Sequence, residues 1–156
     1  MSDLKNPLAK GKMATMQQIT DKLYQGDIKD ALANTQSSNI DVIVYLGQEL
    51  PTQLCFNCKI ACFHLPIVDG KNGLTKIRKA IFIIYIASLD NKLLIACRGG
   101  ISRSVLITSS IYALQNNISF DSAYWHIKEL APQAQPELHL LYGISQITEE
   151  LRHAIY

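Results

Sequence analysis

Apolar residues follow two rhythms along this chain. Residues 40–47 (IDVIVYLG) and 92–97 (KLLIAC) are short, almost continuous apolar runs rich in branched side chains, which predict strands buried on both faces. Residues 59–69 (KIACFHLPIVD) predict a further strand with Pro66 near its end, and residues 19–27 (ITDKLYQGD) a short strand ending at Gly26. A brief helix follows in residues 28–35 (IKDALANT). The longer segments 74–89 (LTKIRKAIFIIYIASL), 102–116 (SRSVLITSSIYALQN), 119–130 (SFDSAYWHIKEL) and 135–155 (QPELHLLYGISQITEELRHAI) predict helices, with Asn72 and Gly73 as the loop before the first. The most apolar run, residues 80–89, is too short to span a bilayer and predicts a buried helix.

Strands alternating with helices predict an α/β fold: one domain with a central, mainly parallel sheet flanked by helices. Residues 1–14 are polar and aperiodic and predict a flexible tail, with the domain over residues 15–156. There is no internal repeat and no low-complexity segment.

Composition changes this picture little. A chain of 156 residues, 48% hydrophobic and 18% charged, suits one domain with a real core. A net charge of +2 without a basic tract argues for neither nucleic acid nor membrane as a partner. The N-terminal residues lack the apolar core of a secretory signal. Four cysteines without an export signal predict free thiols in a reducing, cytoplasmic setting.

The candidate chemistry lies where the run 92–97 meets the helix 102–116, in CRGGISRS (residues 97–104). Ligands of open α/β sheets sit beyond the carboxyl ends of strands, where helix N-termini present free N–H groups. Cys97 would end the strand there. Five residues, Arg98, Gly99, Gly100, Ile101 and Ser102, would wrap backbone N–H groups around a tetrahedral oxyanion, with the two glycines permitting positive φ and close approach. Those N–H groups and the helix dipole would favour the thiolate over a thiol of ordinary value, about 8.5. Arg103, in the first helical turn, offers a planar fork for two phosphoryl oxygens. Ser104 is placed to hydrogen-bond the sulfur as a leaving group. Each part suits nucleophilic attack on a phosphate ester, without metal or organic cofactor.

CRGGISRS resembles the C-x5-R-[ST] signature of the cysteine-dependent protein tyrosine phosphatase superfamily, and much of the chain is similar to its small, atypical dual-specificity phosphatases. ITDKLYQGDIKDA, IDVIVYLGQELP and CFHLPIVDG resemble their opening strand and turn, first core strand and strand leading to the general-acid loop. DSAYWHIKELAPQAQPELHLL resembles their later helix pair, with Ala131 for an arginine and Glu137 for an asparagine. The resemblance implies that Asp69, 28 residues before Cys97, is the general acid and base. It also implies a substrate that is a phosphorylated protein or peptide, at phosphotyrosine and at phosphoserine or phosphothreonine.

The sequence departs from that pattern at Ala96, where the family has a histidine that orders the loop. The expectation is that Cys97 ionises less readily than in relatives. Two other readings remain open: a pseudophosphatase that binds phosphorylated partners without turnover, and a phosphatase of a non-protein substrate, a phosphoinositide or an RNA 5′-phosphate. The single basic residue inside the loop and the low net charge favour neither non-protein substrate. Cys55, Cys58 and Cys62, which have His64 close by, are read as ordinary thiols. Their spacing is not that of a standard zinc site, and a disulfide that shields Cys97 from oxidation is the alternative.

Overall fold

The computed structural model describes residues 16–56 and 58–156; the tail expected over residues 1–14 lies outside the described residues. The segment read as a single strand after residue 19 is a hairpin. Strand β1 (Gln17–Thr20) turns at residues 21 and 22 and pairs antiparallel with β2 (Leu23–Gly26). The Thr20 hydroxyl accepts from the Lys22 N–H at 3.1 Å, which closes the turn that periodicity alone does not reveal.

Helix α1 (Ile28–Ala33) starts at a capping box, in which Asp27 accepts from the Asp30 N–H and Asp30 from the Asp27 N–H. Strand β3 (Val42–Tyr45), the short helix α2 (Thr52–Phe56) and strand β4 (Ala61–His64) follow. A 3-10 turn (Lys71–Leu74) then leads to α3 (Ile77–Ser88), β5 (Leu93–Ala96), α4 (Arg103–Asn116), α5 (Phe120–Leu130) and α6 (Leu138–Ile155).

The five strands form one sheet in the order β1-β2-β5-β3-β4, parallel throughout except for β1. Central β5 explains the apolar run that forms it: all four of its residues are buried. Leu93 and Ile95 face a large core shared with α3 to α6, while Leu94 and Ala96 face a smaller one with Ala31, Tyr45 and Leu54. Each fully buried leucine or isoleucine here contributes about 1.5–3 kcal/mol of transfer free energy.

Helix α4 lies on the sheet between the other large helices and is buried on nearly every side. Two of its buried serines are satisfied by hydrogen bonds, whereas the buried Thr108 hydroxyl has no partner among the described residues. Ser109 donates back to the Val105 carbonyl at 2.8 Å, and Ser110 bonds Thr148 of α6 at 2.6 Å. Helix α3 corrects the expectation of a buried helix. Ile77, Ile81, Ile84 and Tyr85 face the core, but Phe82, Ile83, Ile86 and Leu89 are exposed, because α3 is the outer helix of its layer and packs on α4 and α6 through one face. No helix among the described residues is long and apolar enough to cross a membrane.

Candidate active site

Side chains alternate across a strand, so the residue after β5 emerges on the α4 side. That residue is Cys97, only 2% exposed. Residues 98–102 curl back over it into α4. The Gly100 N–H donates to the Cys97 Sγ at 3.3 Å, and the Ser104 N–H, from the first turn of α4, donates at 3.4 Å. Donors converging in this way stabilise anionic charge at their focus, and the N-terminal end of α4 adds to them.

Gly100 is required for two reasons. Its φ is +68°, and a Cβ there would sit 3.1 Å from both the Asp27 nitrogen and Cβ. Gly99 has no positive φ, and an added Cβ would meet only Ile101 Cγ1 at 3.7 Å, so the expected pair of special glycines narrows to one.

The loop is held from two sides. The Cys97 N–H donates to the Gly26 carbonyl at 3.4 Å, and the Ile28 N–H donates to the Arg98 carbonyl at 3.3 Å. From the stretch before α6, the Gln135 N–H reaches the Ile101 carbonyl at 2.8 Å and the Glu137 N–H reaches the Ser102 hydroxyl at 3.1 Å.

Arg103 and Arg98 line a cleft of about 170 Å³ together with Tyr45, Gly47, Gln48 and Glu49. Arg103 donates through Nη1 to the Ile67 carbonyl at 2.9 Å, which ties the helix start to the chain leaving β4. Burial pushes the Tyr45 phenol above its ordinary value; Cys97 adds to the rise, and Arg103 and Arg98 oppose it. Tyr45 also fills the space beside Ala96, which is fully buried in register between Gly26 and Tyr45.

Asp69 lies on the exposed chain two residues beyond Ile67 and does not line this cleft. Its neighbour Gly70, at φ +88°, donates its N–H to Glu137 Oε1 at 2.8 Å. Glu137 caps α6 by accepting from the N–H groups of His139 at 3.0 Å and Leu140 at 3.1 Å. These bonds, the His139 N–H first, hold its carboxyl down from 4.5 to about 2 against the opposing effect of desolvation. One carboxylate therefore fastens the segment carrying Asp69, while its own backbone fastens Ser102.

Of the residues expected in a site, Cys97, Arg98, Gly100, Arg103 and Ser104 come together, and Ile101 and Ser102 complete the loop. Gln25, Tyr45 and Glu49 were not expected. Gln25, Tyr45 and Glu49 had no signal, because their approach depends on the sheet register.

Cys55, Cys58 and Cys62 stand apart. Cys62 pairs in register with Ile43 and so with Leu94, on the opposite face from Cys97. Two strand spacings and three residues separate the two positions, about 14 Å. A disulfide needs Cα atoms within about 7 Å, so Cys62 does not shield Cys97 in this fold. Among the described residues no group of three or more His, Cys, Asp or Glu side chains is placed to hold a metal ion.

The fold is that of the dual-specificity phosphatases. It superposes on DUSP15 with a TM-score of 0.74 and 20% identity, over 90% of this chain and 94% of that one. PTPMT1, solved in complex with PI(5)P, matches with a TM-score of 0.72 and 15% identity, over 90% and 99% of the two chains. In sequence, 72 residues are 32% identical to the tyrosine-protein phosphatase pmp1 of Schizosaccharomyces pombe, 46% of this chain and 26% of that protein. The chain thus matches about a quarter of the length of this curated relative. No protein-family model matches the chain.

Proposed function

We propose that this chain is a cysteine-dependent phosphatase hydrolysing phosphotyrosine and phosphoserine or phosphothreonine esters of proteins. The observation that carries this reading is the convergence of the Gly100 and Ser104 N–H groups on the Cys97 sulfur, with Arg98 and Arg103 of the same strand–loop–helix lining a cleft. The Cys97 thiolate attacks phosphorus, the ester P–O bond breaks, and Asp69 protonates the departing oxygen. Asp69 then takes a proton from water, which attacks the phosphocysteine; the P–S bond breaks and the thiolate leaves. Arg103 and the N–H groups of residues 98–103 hold the equatorial oxygens. Asp69 is exposed, so the segment after β4 must fold inward over bound substrate.

A neighbour in fold is solved with PI(5)P, but here Glu49 lines the cleft together with Arg98 and Arg103. An acid at the mouth opposes a substrate with several phosphates and suits a single phosphoryl group on a peptide. The exposed to half-buried Cys55, Cys58 and Cys62 support a reducing, cytoplasmic setting.

Hydrolysis of p-nitrophenyl phosphate in EDTA tests the reading. Wild type turns over, Cys97→Ser is inert, and Asp69→Ala loses about 100-fold in kcat. Wild-type protein that binds a phosphopeptide but releases no phosphate identifies a binding module instead.

A further inference from the structure

Gln25 is fully buried in the middle of β2, beside Ile95 of β5. A buried amide must spend its donors and acceptor on neighbours, and here the neighbours belong to the phosphate loop. Its Nε2 donates to Gln17 Oε1 at 2.5 Å and to the Gly100 carbonyl at 3.3 Å. Its Oε1 accepts from the Ser104 hydroxyl at 2.6 Å. The Gly100 carbonyl can only accept, so the amide nitrogen must face it, which leaves the oxygen facing Ser104.

A serine hydroxyl has one proton. Committed to Gln25, Ser104 offers Cys97 only a lone pair, and the Cys97 S–H donates to Ser104 Oγ at 3.2 Å. To donate to a thiolate instead, Ser104 must leave Gln25 and set two oxygens face to face at the present 2.6 Å separation. We propose that Gln25 is a positioning residue that competes with the Cys97 sulfur for the Ser104 proton and so holds back ionisation of the nucleophile. The competition weighs on both chemical steps: the first needs a thiolate to attack, and the second needs one to leave. The inference rests on Cys97 being the nucleophile of the proposed reaction, but its test does not need turnover.

The pH dependence of iodoacetamide alkylation, followed on the Cys97 peptide by mass spectrometry, reads the thiol directly. Gln25→Met, close in shape and without the amide, moves the midpoint down by about half a unit to one unit. Ser104→Ala alone moves it by less than about 0.3 unit, because that proton is already committed to Gln25. In the Gln25→Met background the same change raises it by about half a unit to one unit. A midpoint unmoved or raised in folded Gln25→Met overturns the proposal. Should Gln25→Met fail to fold, Ser104→Ala decides alone: a rise of about one unit shows that the serine already serves the sulfur and overturns it. A chain with the expected shifts that hydrolyses no ester sinks the phosphatase reading and leaves this one standing; turnover with unmoved midpoints does the reverse.

Discussion

Cys97 and Cys62 belong to the same sheet and live under opposite rules. Cys97 faces the α4 side beyond the central strand, with the Gly100 and Ser104 N–H groups aimed at its sulfur. Cys62 faces the other side from edge strand β4, half-buried among apolar residues. Desolvation, with Cys58 and Cys55 adding to it, pushes the Cys62 thiol up to about 11. The side chains are identical, so the difference comes from what surrounds each of them. A strand end that meets a helix start can curl its N–H groups onto a side chain, whereas within a strand the side chain stands perpendicular to the backbone N–H groups.

The largest effect that tests this contrast is selectivity of alkylation. A thiol near 11 is ionised to about one part in ten thousand at pH 7, so brief iodoacetamide treatment modifies Cys97 and leaves Cys62 untouched, by at least about 100-fold in rate. Peptide mass spectrometry measures both at once. Equal labelling would remove the contrast.

A second test concerns the boundary between the two faces. Ala96 is next to Cys97 in sequence, yet its side chain lies with Tyr45 and Ala31 on the Cys62 side. Histidine there must displace Tyr45 from a position that is fully packed. Ala96→His is expected to cost about 1–3 kcal/mol, lowering Tm by roughly 2–12 °C. A variant as stable as wild type would mean that this face has room, and that packing beside Tyr45 does not set the residue at 96.

Much of this arrangement was legible in the chain. The runs VIVY and LLIA read as buried strands because a central parallel strand needs apolar residues on both faces, and both are buried throughout. The spacing from Cys97 to Arg103 was legible because strand, loop and first helical turn are contiguous, so local geometry carries the site. What the chain concealed depends on register or on distant contact. The β1–β2 hairpin turns on one hydroxyl at Thr20, and nothing in the apolar pattern marks α2. Gln25 reaches Ser104 across 79 positions, and Glu137 reaches Gly70 across 67. The run AIFIIYIASL read as buried because hydrophobicity does not tell a central helix from an outer one, and α3 is outer.

The smallest effect concerns Glu137, which joins two parts of the proposed chemistry, the loop over Cys97 and the chain carrying Asp69. Its carboxyl is held at about 2 in the folded protein against an ordinary 4.5, chiefly by the His139 N–H with Leu140 and Gly70 assisting. A folded value below the unfolded one adds stability that is fully present above about 4.5 and is lost as pH falls through about 2. Glu137→Gln keeps an acceptor but removes the charge, so it lowers Tm at pH 6 by a few degrees, roughly 2–4 °C. The gap between wild type and variant then closes as the pH is taken from 5 towards 2, because the wild-type carboxylate is being protonated. Thermal melts across that range follow it directly. A gap of constant size would mean that the charge contributes nothing, and that Gly70 and the start of α6 are held by shape alone.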